Sequence, residues 1–492
     1  MAGKRKKSHW AVKRKNKQAR REGQQDGDAQ KPKQDRRADR SETVHPGSYA
    51  AQRQHSTDST ASAAASEAAA QPIKRRYGIW VAFCGKNYSG MQMNEGVKTI
   101  EAELERALFE AGGIAESNYG FLQKIGWSRA ARTDKGVHAA GQLLTAKLLV
   151  GDDVEGFVAK VNAALPADIR VMQMVTVTKS FNAKMSCDQR TYEYLAPTFI
   201  FAKRARFIAK QENGEDKKDT TMWPSNLHHS EEGINDNLVI DETTLKAHKA
   251  FRLSEESLVE LNAALKQYEG THNFHNFTSK MEPTNPQAMR YIISFEVEHP
   301  FVQNDMEWVR LRVVGQSFLL HHIRKMIGTV VEVVSGVTGL ETIERAMQLQ
   351  KMDLPKAPSV GLYLAQAHFE IYNMKMEEAI QTSHPPLNLK EPSVAAAVEQ
   401  FKRDFIFSHI MQHEEQTRTY AKWVRTLETL PFDYIAKPYE EWKKEKEEEA
   451  ERTDRSGKRE AAKLARELVS PTETSAAKNE ATERADTASV TT

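Results

Sequence analysis

Two stretches of this chain, residues 77–201 and 254–371, each run from β-forming segments through one-faced helical segments and back, and this recurrence limits the fold more than any other feature. In the first stretch, YGIWVAFCG (77–85) is rich in β-formers and stops at a glycine, so it reads as a strand and turn. Thr99 then opens a helix whose apolar face is Ile100, Leu104, Ala107, Leu108 and Ala111, and Gly112–Gly113 ends it. GQLLTAKLLV (141–150) predicts a strand, 153–164 a helix stopped before Pro166, and IRVMQMVTV (169–177) and RTYEYLAPTFIF (190–201) two more strands. The second stretch predicts a helix over 254–268, strands YIISFEVEH (291–299) and EWVRLRVVG (307–315), and a long apolar helix FLLHHIRKMIGTVVEVVSG (318–336). A last small unit runs from IERAMQLQ (343–350) to GLYLAQAHFEI (361–371). Strands and helices mixed in this way point to an α+β fold.

The rest of the chain differs in character. Its 492 residues are 28% charged and 39% hydrophobic, with a mean hydropathy of -0.63, as polar extensions around one large folded core would give. Residues 1–72 are expected to be disordered, since they bury too little apolar surface to offset chain entropy. They carry the basic clusters KRKK (4–7) and KRKNKQARR (13–21), which suit nuclear import or an arm that grasps RNA, and equally a solvated tail. The expected divisions are a basic extension (1–72), an N-terminal core half (73–202), a partly mobile surface insertion (203–249), a C-terminal core half (250–375), a helical appendage (376–440) and a charged disordered tail (441–492). Two cysteines, Cys84 and Cys187, are too few for a disulfide framework or a cysteine zinc site. No apolar run of 18 residues or secretory core occurs, so no membrane association is expected.

RTDKGVHAAG (132–141) carries the most chemistry. It puts a carboxylate, Asp134, between Arg132 and Lys135 on a polar loop that leads into a strand. Neighbouring cations favour the ionised form, and a positioned carboxylate serves as nucleophile or base. On local chemistry alone the same residues also suit a surface ion pair or a turn.

The wider context resembles the TruA class of tRNA pseudouridine synthases. RTDKGVHAAGQ resembles that family's core R-T-D-x-G-V-x-A. GKNYSGMQMN (85–94) precedes it, and CDQRTYEYLAPT (187–198), GTHNFHNFT (270–278), GQSFLLHHIRKMIG (315–328) and APSVGLYL (357–364) follow, each resembling a block of the family in the family's order. Met91, Gln92, Lys135 and the 203–249 insertion make the form similar to the eukaryotic nuclear multisite-specific members. The resemblance implies a pseudouridine synthase fold: two similar mixed α/β halves with antiparallel sheets flanking a basic RNA-binding cleft, plus disordered termini. It implies that Asp134 attacks the uridine at C6 or at the sugar C1′, so that the base detaches, turns and rejoins through C5. Arg132 matches the residue that flips the target out, and Arg324 the residue that pairs with the catalytic carboxylate.

Tyr192 matches the tyrosine that stacks on the target base, an interaction worth about 1–3 kcal/mol; its phenol could also assist proton removal. Tyr194, two residues on and pointing the same way, competes for the role. Lys135 and Arg190, with Lys280, Arg290 and Lys325, are expected to give phosphate contacts that offset the cost of extruding a base. His321 and His322 read as RNA contacts or core residues; as metal ligands they lack a cysteine or third histidine at a suitable spacing. Phe274 and Phe277 read as core. No P-loop and no G-x-G-x-x-G follows a strand, and the isomerisation needs no redox change or energy source, so no cofactor is expected. The implied partner is tRNA, with messenger and small nuclear RNA left open, and no obligate protein partner. The expected location is the nucleus, with mitochondrion and cytoplasm as alternatives. A catalytically inactive tRNA-binding chaperone is the rival reading, and the presence of Arg132, Asp134, Tyr192 and Arg324 weighs against it.

Overall fold

The alternating segments close into one ten-stranded sheet. In this computed structural model residues 44–53, 73–204, 234–235, 237–379 and 384–429 are described, with Lys444, Glu447, Glu448 and Arg452. A short helix α1 (Tyr49–Arg53) precedes strand β1 (Lys74–Phe83). Helix α2 (Ile100–Glu110) starts where the sequence predicts, because the Thr99 side chain accepts the amide of Ala102 and satisfies an otherwise orphaned donor. Strands β2 (Ser128–Arg129) and β3 (His138–Leu149) follow, then α3 (Val154–Ala164), capped by Asp153, and β4 (Ile169–Thr176). A one-turn α4 (Ala183–Ser186) leads into β5 (Gln189–Pro197). The second half opens with α5 (Glu242–Ala250) and α6 (Glu255–Lys266), capped by Asp241 and Ser254. Strands β6 (Gly270–Asn273), β7 (Met289–Val297), β8 (Phe301–Gln303) and β9 (Met306–Gly315) precede helix α7 (His322–Val334). After α8 (Glu341–Ala346) come β10 (Leu362–His368), α9 (Glu370–Glu378) and α10 (Pro392–Phe401). A π-helical stretch (Lys402–Phe407), α11 (Ser408–Thr417) and α12 (Thr419–Thr429) follow.

The strand order is β4-β1-β3-β10-β5-β9-β7-β6, with β2 on β3 and β8 on β9. Every pairing is antiparallel except β10 with β3. The late strand β10 thus joins β3 to β5 at the middle of the sheet. One register row crosses this middle: Ala139, Leu364, Tyr192, Val313 and Phe295. Residues opposite one another in paired strands share a face. On this face Ala139 and Leu364 share a core with Leu104, Leu108, Phe157 and Val161 of α2 and α3. Val313 and Phe295 share another with Leu261, Leu265, Ile327 and Val331 of α6 and α7. Tyr192 packs against both cores and marks the seam between them. The adjacent row, His138, Tyr363, Glu193 and Arg312, points to the opposite face.

Several elements depart from the sequence expectation. Within the extension expected to lack order, residues 44–53 dock on α2, where Ser48 Oγ donates to Glu105 and Tyr49 Oη donates to Glu103. Glu103 and Glu105 are themselves buried, and Ala50 joins the core with Val44 and Tyr49 packed against it, so hydrogen bonds and apolar contact together fix this segment. Inside the 203–249 insertion, Glu242–Ala250 forms α5, while 205–233 lie outside the described residues. Strand β5 stops at Pro197 and turns into a 3-10 helix (Thr198–Phe201). Helix α7 begins at His322 rather than 318, because His321 adopts the left-handed conformation (φ 62°). Leu320, expected on its apolar stripe, is 56% exposed. The basic clusters at 4–7 and 13–21 and the tail beyond Arg452 lie outside the described residues. Among the described residues no helix is long and apolar enough to cross a membrane.

Candidate active site

The loop bearing Asp134 is short of its own secondary structure and is held by its neighbours. At its start the amide of Ala130 donates to Leu143 O (2.9 Å), and the Gln142 side chain bridges Ala131 by accepting its N–H (3.1 Å) and donating to its carbonyl (2.8 Å). Arg190 donates to Ala130 O (3.0 Å) and to Gln316 O (2.9 Å), tying the loop to the far end of β9. The tip is bound to the 85–94 segment: Met91 N donates to Thr133 O (3.1 Å) and Gly136 N to Tyr88 O (3.3 Å). Gly90, at φ +98°, lies so close that a Cβ there would be 2.9 Å from Thr133 O. At Gly85 a Cβ would fall 2.2 Å from Val137 O, and the Gly85 amide donates to His138 Nδ1 (2.9 Å). Two sequence blocks separated by a whole helix are therefore one structural unit, and its glycines are there for close backbone approach. Arg132, Asp134 and Lys135 project from it exposed, around a buried Thr133.

Behind the loop sits a carboxylate that sequence reasoning missed. Glu101, fully buried on α2, accepts from Trp127 Nε1 (2.7 Å), Arg129 Nη2 (2.9 Å) and the amide of Met93 (2.9 Å), and also pairs with Arg129 Nε. The available signal was a glutamate on the apolar side of a helix, where a buried charge demands a partner.

Tyr192 lies partly buried on β5 with its ring edge-on to Phe318, centroids 5.2 Å apart. Burial pushes its phenol up to about 12; the Cys187 and Asp134 charges add to this, and Arg190 opposes it. Tyr194 is buried, and its hydroxyl donates to Pro358 O (2.8 Å), which leaves Tyr192 as the tyrosine open to a ligand. The pKa of His321, partly exposed at the start of α7, is lowered by burial and by Lys356, Arg324 and Lys325, against the pull of Asp134. It therefore feels the Asp134 carboxylate and the Arg324 guanidinium at once. Arg324 is 7% exposed, and its Nε donates to Ala357 O (2.6 Å) while its own carbonyl accepts the Ala357 amide (3.0 Å). The A-P-x-x-G-L segment is thereby fastened to the start of α7. Asp134, Tyr192, His321 and Arg324, spread over nearly two hundred residues, fall in one neighbourhood at the seam.

Other candidates take different places. His322 is buried among Phe274, Phe277 and Phe318, and burial lowers its pKa to about 3. It is a core residue here rather than an RNA contact, and Phe274 and Phe277 are core with it. Lys325 turns inward and donates to the carbonyls of Asn276 (3.0 Å) and Thr278 (3.4 Å), so it is taken up in supporting the 270–278 block. Arg190 is likewise a strut between loops. Lys280 remains exposed, and Arg290 is partly exposed with its Nη1 on Met289 O (2.8 Å).

Comparison with known proteins points to a family. The profile of a family described as tRNA pseudouridine synthase matches residues 264–370. A human protein named pseudouridylate synthase 1 homolog is 39% identical, over 73% of this chain and 74% of its own length. A Yarrowia lipolytica protein named tRNA pseudouridine synthase 1 is 30% identical over 84% of this chain and 85% of its own. The Saccharomyces cerevisiae protein of that name is 36% identical over 62% and 63%.

Proposed function

The chain belongs to the tRNA pseudouridine synthase family, and from that premise we propose that it converts uridines of tRNA to pseudouridine with Asp134 as nucleophile. It is an isomerase: the uracil leaves and rejoins the same ribose, with no net gain or loss of atoms. The observation that carries the reading is the exposed Asp134, fixed by backbone bonds to the 85–94 segment and close enough to Tyr192 and His321 to shift both. The carboxylate would form a bond to the nucleotide, at C6 or C1′, while the N1–C1′ bond breaks. The base then turns within the seam and bonds to C1′ through C5; the bond to Asp134 breaks and restores the carboxylate, and the C5 proton is lost as N1 gains one. Arg132 is assigned to filling the space of the extruded nucleotide, Tyr192 to stacking on the base, and Arg324 to balancing the charge of Asp134. Exposed Lys135 and Lys280 fit contact with the phosphate backbone.

The test is to incubate the full chain with unmodified tRNA and map pseudouridine by chemical probing. Product should appear with the wild type and vanish with Asp134→Ala, while tRNA binding stays within about tenfold, roughly 1.4 kcal/mol. Full activity in Asp134→Ala would sink the assignment. The ten cations of residues 1–21 support a nuclear location. Deleting those residues should shift a fluorescent fusion to the cytoplasm, and unchanged nuclear signal would refute the import reading.

A further inference from the structure

The face of the sheet opposite Tyr192 is not idle. Its central row holds His138 on β3, Tyr363 on β10 and Glu193 on β5, side by side. Each is met by one side chain from the C-terminal layer, residues 392–429. His409 of α11 stands edge-on to His138 with centroids 5.3 Å apart. Phe407 of the π-helix packs on Tyr363 at 6.0 Å. Lys402, the first residue of that π-helix, brings its Nζ to 3.1 Å from Glu193. Within the row the Tyr363 hydroxyl donates a short hydrogen bond to Glu193, and Arg310 lies 3.6 Å from the same carboxylate. Burial would raise the Glu193 carboxyl, but Lys402 and Arg310 outweigh it and hold it below the usual range. Farther along β5, Tyr420 of α12 donates to Leu195 O (2.8 Å).

Two features make this more than packing. Lys402 is 4% exposed, a depth lysines rarely reach without a dedicated partner, and it sits at a π-helical interruption, a costly distortion that recurs at functional positions. The second feature is the weakness of what it spans. Strands β3 and β10 share only the pairs Tyr363–His138 and Leu364–Ala139. Besides that two-residue ladder, the Arg190 strut to Ala130 O joins the strand of Tyr192 to the Asp134 loop on the front, so a clamp from behind adds to a short join in setting the seam's spacing.

We infer that the C-terminal layer 392–429 belongs to the catalytic apparatus, with Lys402 and Glu193 as positioning residues that set the spacing between the Asp134 loop and Tyr192. The inference rests on the roles proposed above for those two residues. His138 follows Asp134 by four positions and Glu193 adjoins Tyr192, so clamping His138, Tyr363 and Glu193 from behind fixes both reacting partners in front. Glu193 points to the face opposite Tyr192, and Lys402 meets it there. Their effect is on alignment, which near a reacting centre is steep.

The experiment compares full-length wild type, Lys402→Met, Lys402→Arg and Tyr363→Phe. Lys402→Met leaves Glu193 with Arg310 and Tyr363, so the fold has compensation. A cavity of about 230 Å³ beside Lys402, lined also by Glu193, Arg310 and Glu399, has room for the larger guanidinium of the conservative variant. In single turnover on tRNA, Lys402→Met should slow isomerisation by about tenfold or more with tRNA affinity nearly unchanged, and Lys402→Arg should recover most of the rate. Hydrogen–deuterium exchange should show faster exchange across residues 130–138 in Lys402→Met. If that variant does not fold, Tyr363→Phe, which removes one hydroxyl, carries the same expectation at smaller size. Wild-type rate and wild-type exchange in soluble Lys402→Met or Tyr363→Phe, with only a lower melting temperature, overturn the inference. Failure of the wild type to make pseudouridine would defeat the proposed function instead, and the exchange comparison would still decide the role of the clamp.

Discussion

At the residue scale the site turns on how one tyrosine is held. The Tyr192 phenol is pushed up to about 12 by burial, with the Asp134 charge adding to the shift, so it stays protonated throughout the ordinary range. Were its phenolate the base that removes the C5 proton, the rate would climb tenfold per pH unit until that value was reached. A stacking ring has no such requirement. The single-turnover rate should therefore be flat in its Tyr192 dependence between about pH 7 and 9, and Tyr192→Phe should keep most of it. Tyr192→Ala, losing base–aromatic stacking of about 1–3 kcal/mol, should fall by roughly 5- to 150-fold. A Phe variant as poor as the Ala variant would return a chemical role to the hydroxyl. The family resemblance pointed to Tyr192, but Tyr194 remained a competitor because alternation puts both on one face. The Tyr194 hydroxyl's bond to Pro358 separates them, and that partner is far away in sequence.

At the element scale, most of the fold was legible wherever one face of a segment is apolar and its ends are signalled. Thr99, Asp153 and Ser254 each begin a helix as caps, and β1, β3, β4, β7 and β9 follow their apolar runs. Elements without a long apolar face were not legible: the 44–53 segment docks through Ser48 and Tyr49 on buried glutamates and through Ala50, and α5 has no fully buried residue. The shortened start of α7 comes from one left-handed histidine, which no periodicity reports. The loop unit at 85–94 and 130–137 offers an element-level test. At Gly90 a side chain meets both an unfavourable φ of +98° and the carbonyl of Thr133 at 2.9 Å. Gly90→Ala should thus push the two loops apart at a cost of about 1–3 kcal/mol. Because the strain falls on the Asp134 loop, activity should drop more than global stability does, read as rate against melting temperature. Unchanged rate in Gly90→Ala would mean that this contact does not set the position of Asp134.

At the scale of the whole molecule, the place of β10, from the far end of the core, between β3 and β5 was not legible, since pairing between distant strands leaves no local mark. The same topology buries histidines in the two halves. His138 sits at the β3–β10 join with its Nδ1 accepting the Gly85 amide, and His322 lies among three phenylalanines beneath the seam. Burial lowers both to about 3, against about 6.5 in an unfolded chain. Between those values the unfolded chain binds more protons than the folded one. Their contribution to stability is therefore complete above about pH 6.5 and is lost as pH falls toward 3, at about 1.4 kcal/mol per unit for each histidine. Going from pH 7 to 5 should remove about 2 kcal/mol per histidine, seen as a falling denaturation midpoint. Carboxylates titrate in the same direction, so the decisive comparison is with His322→Phe, whose ring suits a site already lined by Phe274, Phe277 and Phe318. That variant should lose stability less steeply near pH 5, by about 1.4 kcal/mol per pH unit relative to wild type. Parallel curves for the two proteins would mean that His322 is not held neutral in the core. The acid loss should also reach function, because a protonated His138 can no longer accept the Gly85 amide that anchors the segment holding Asp134.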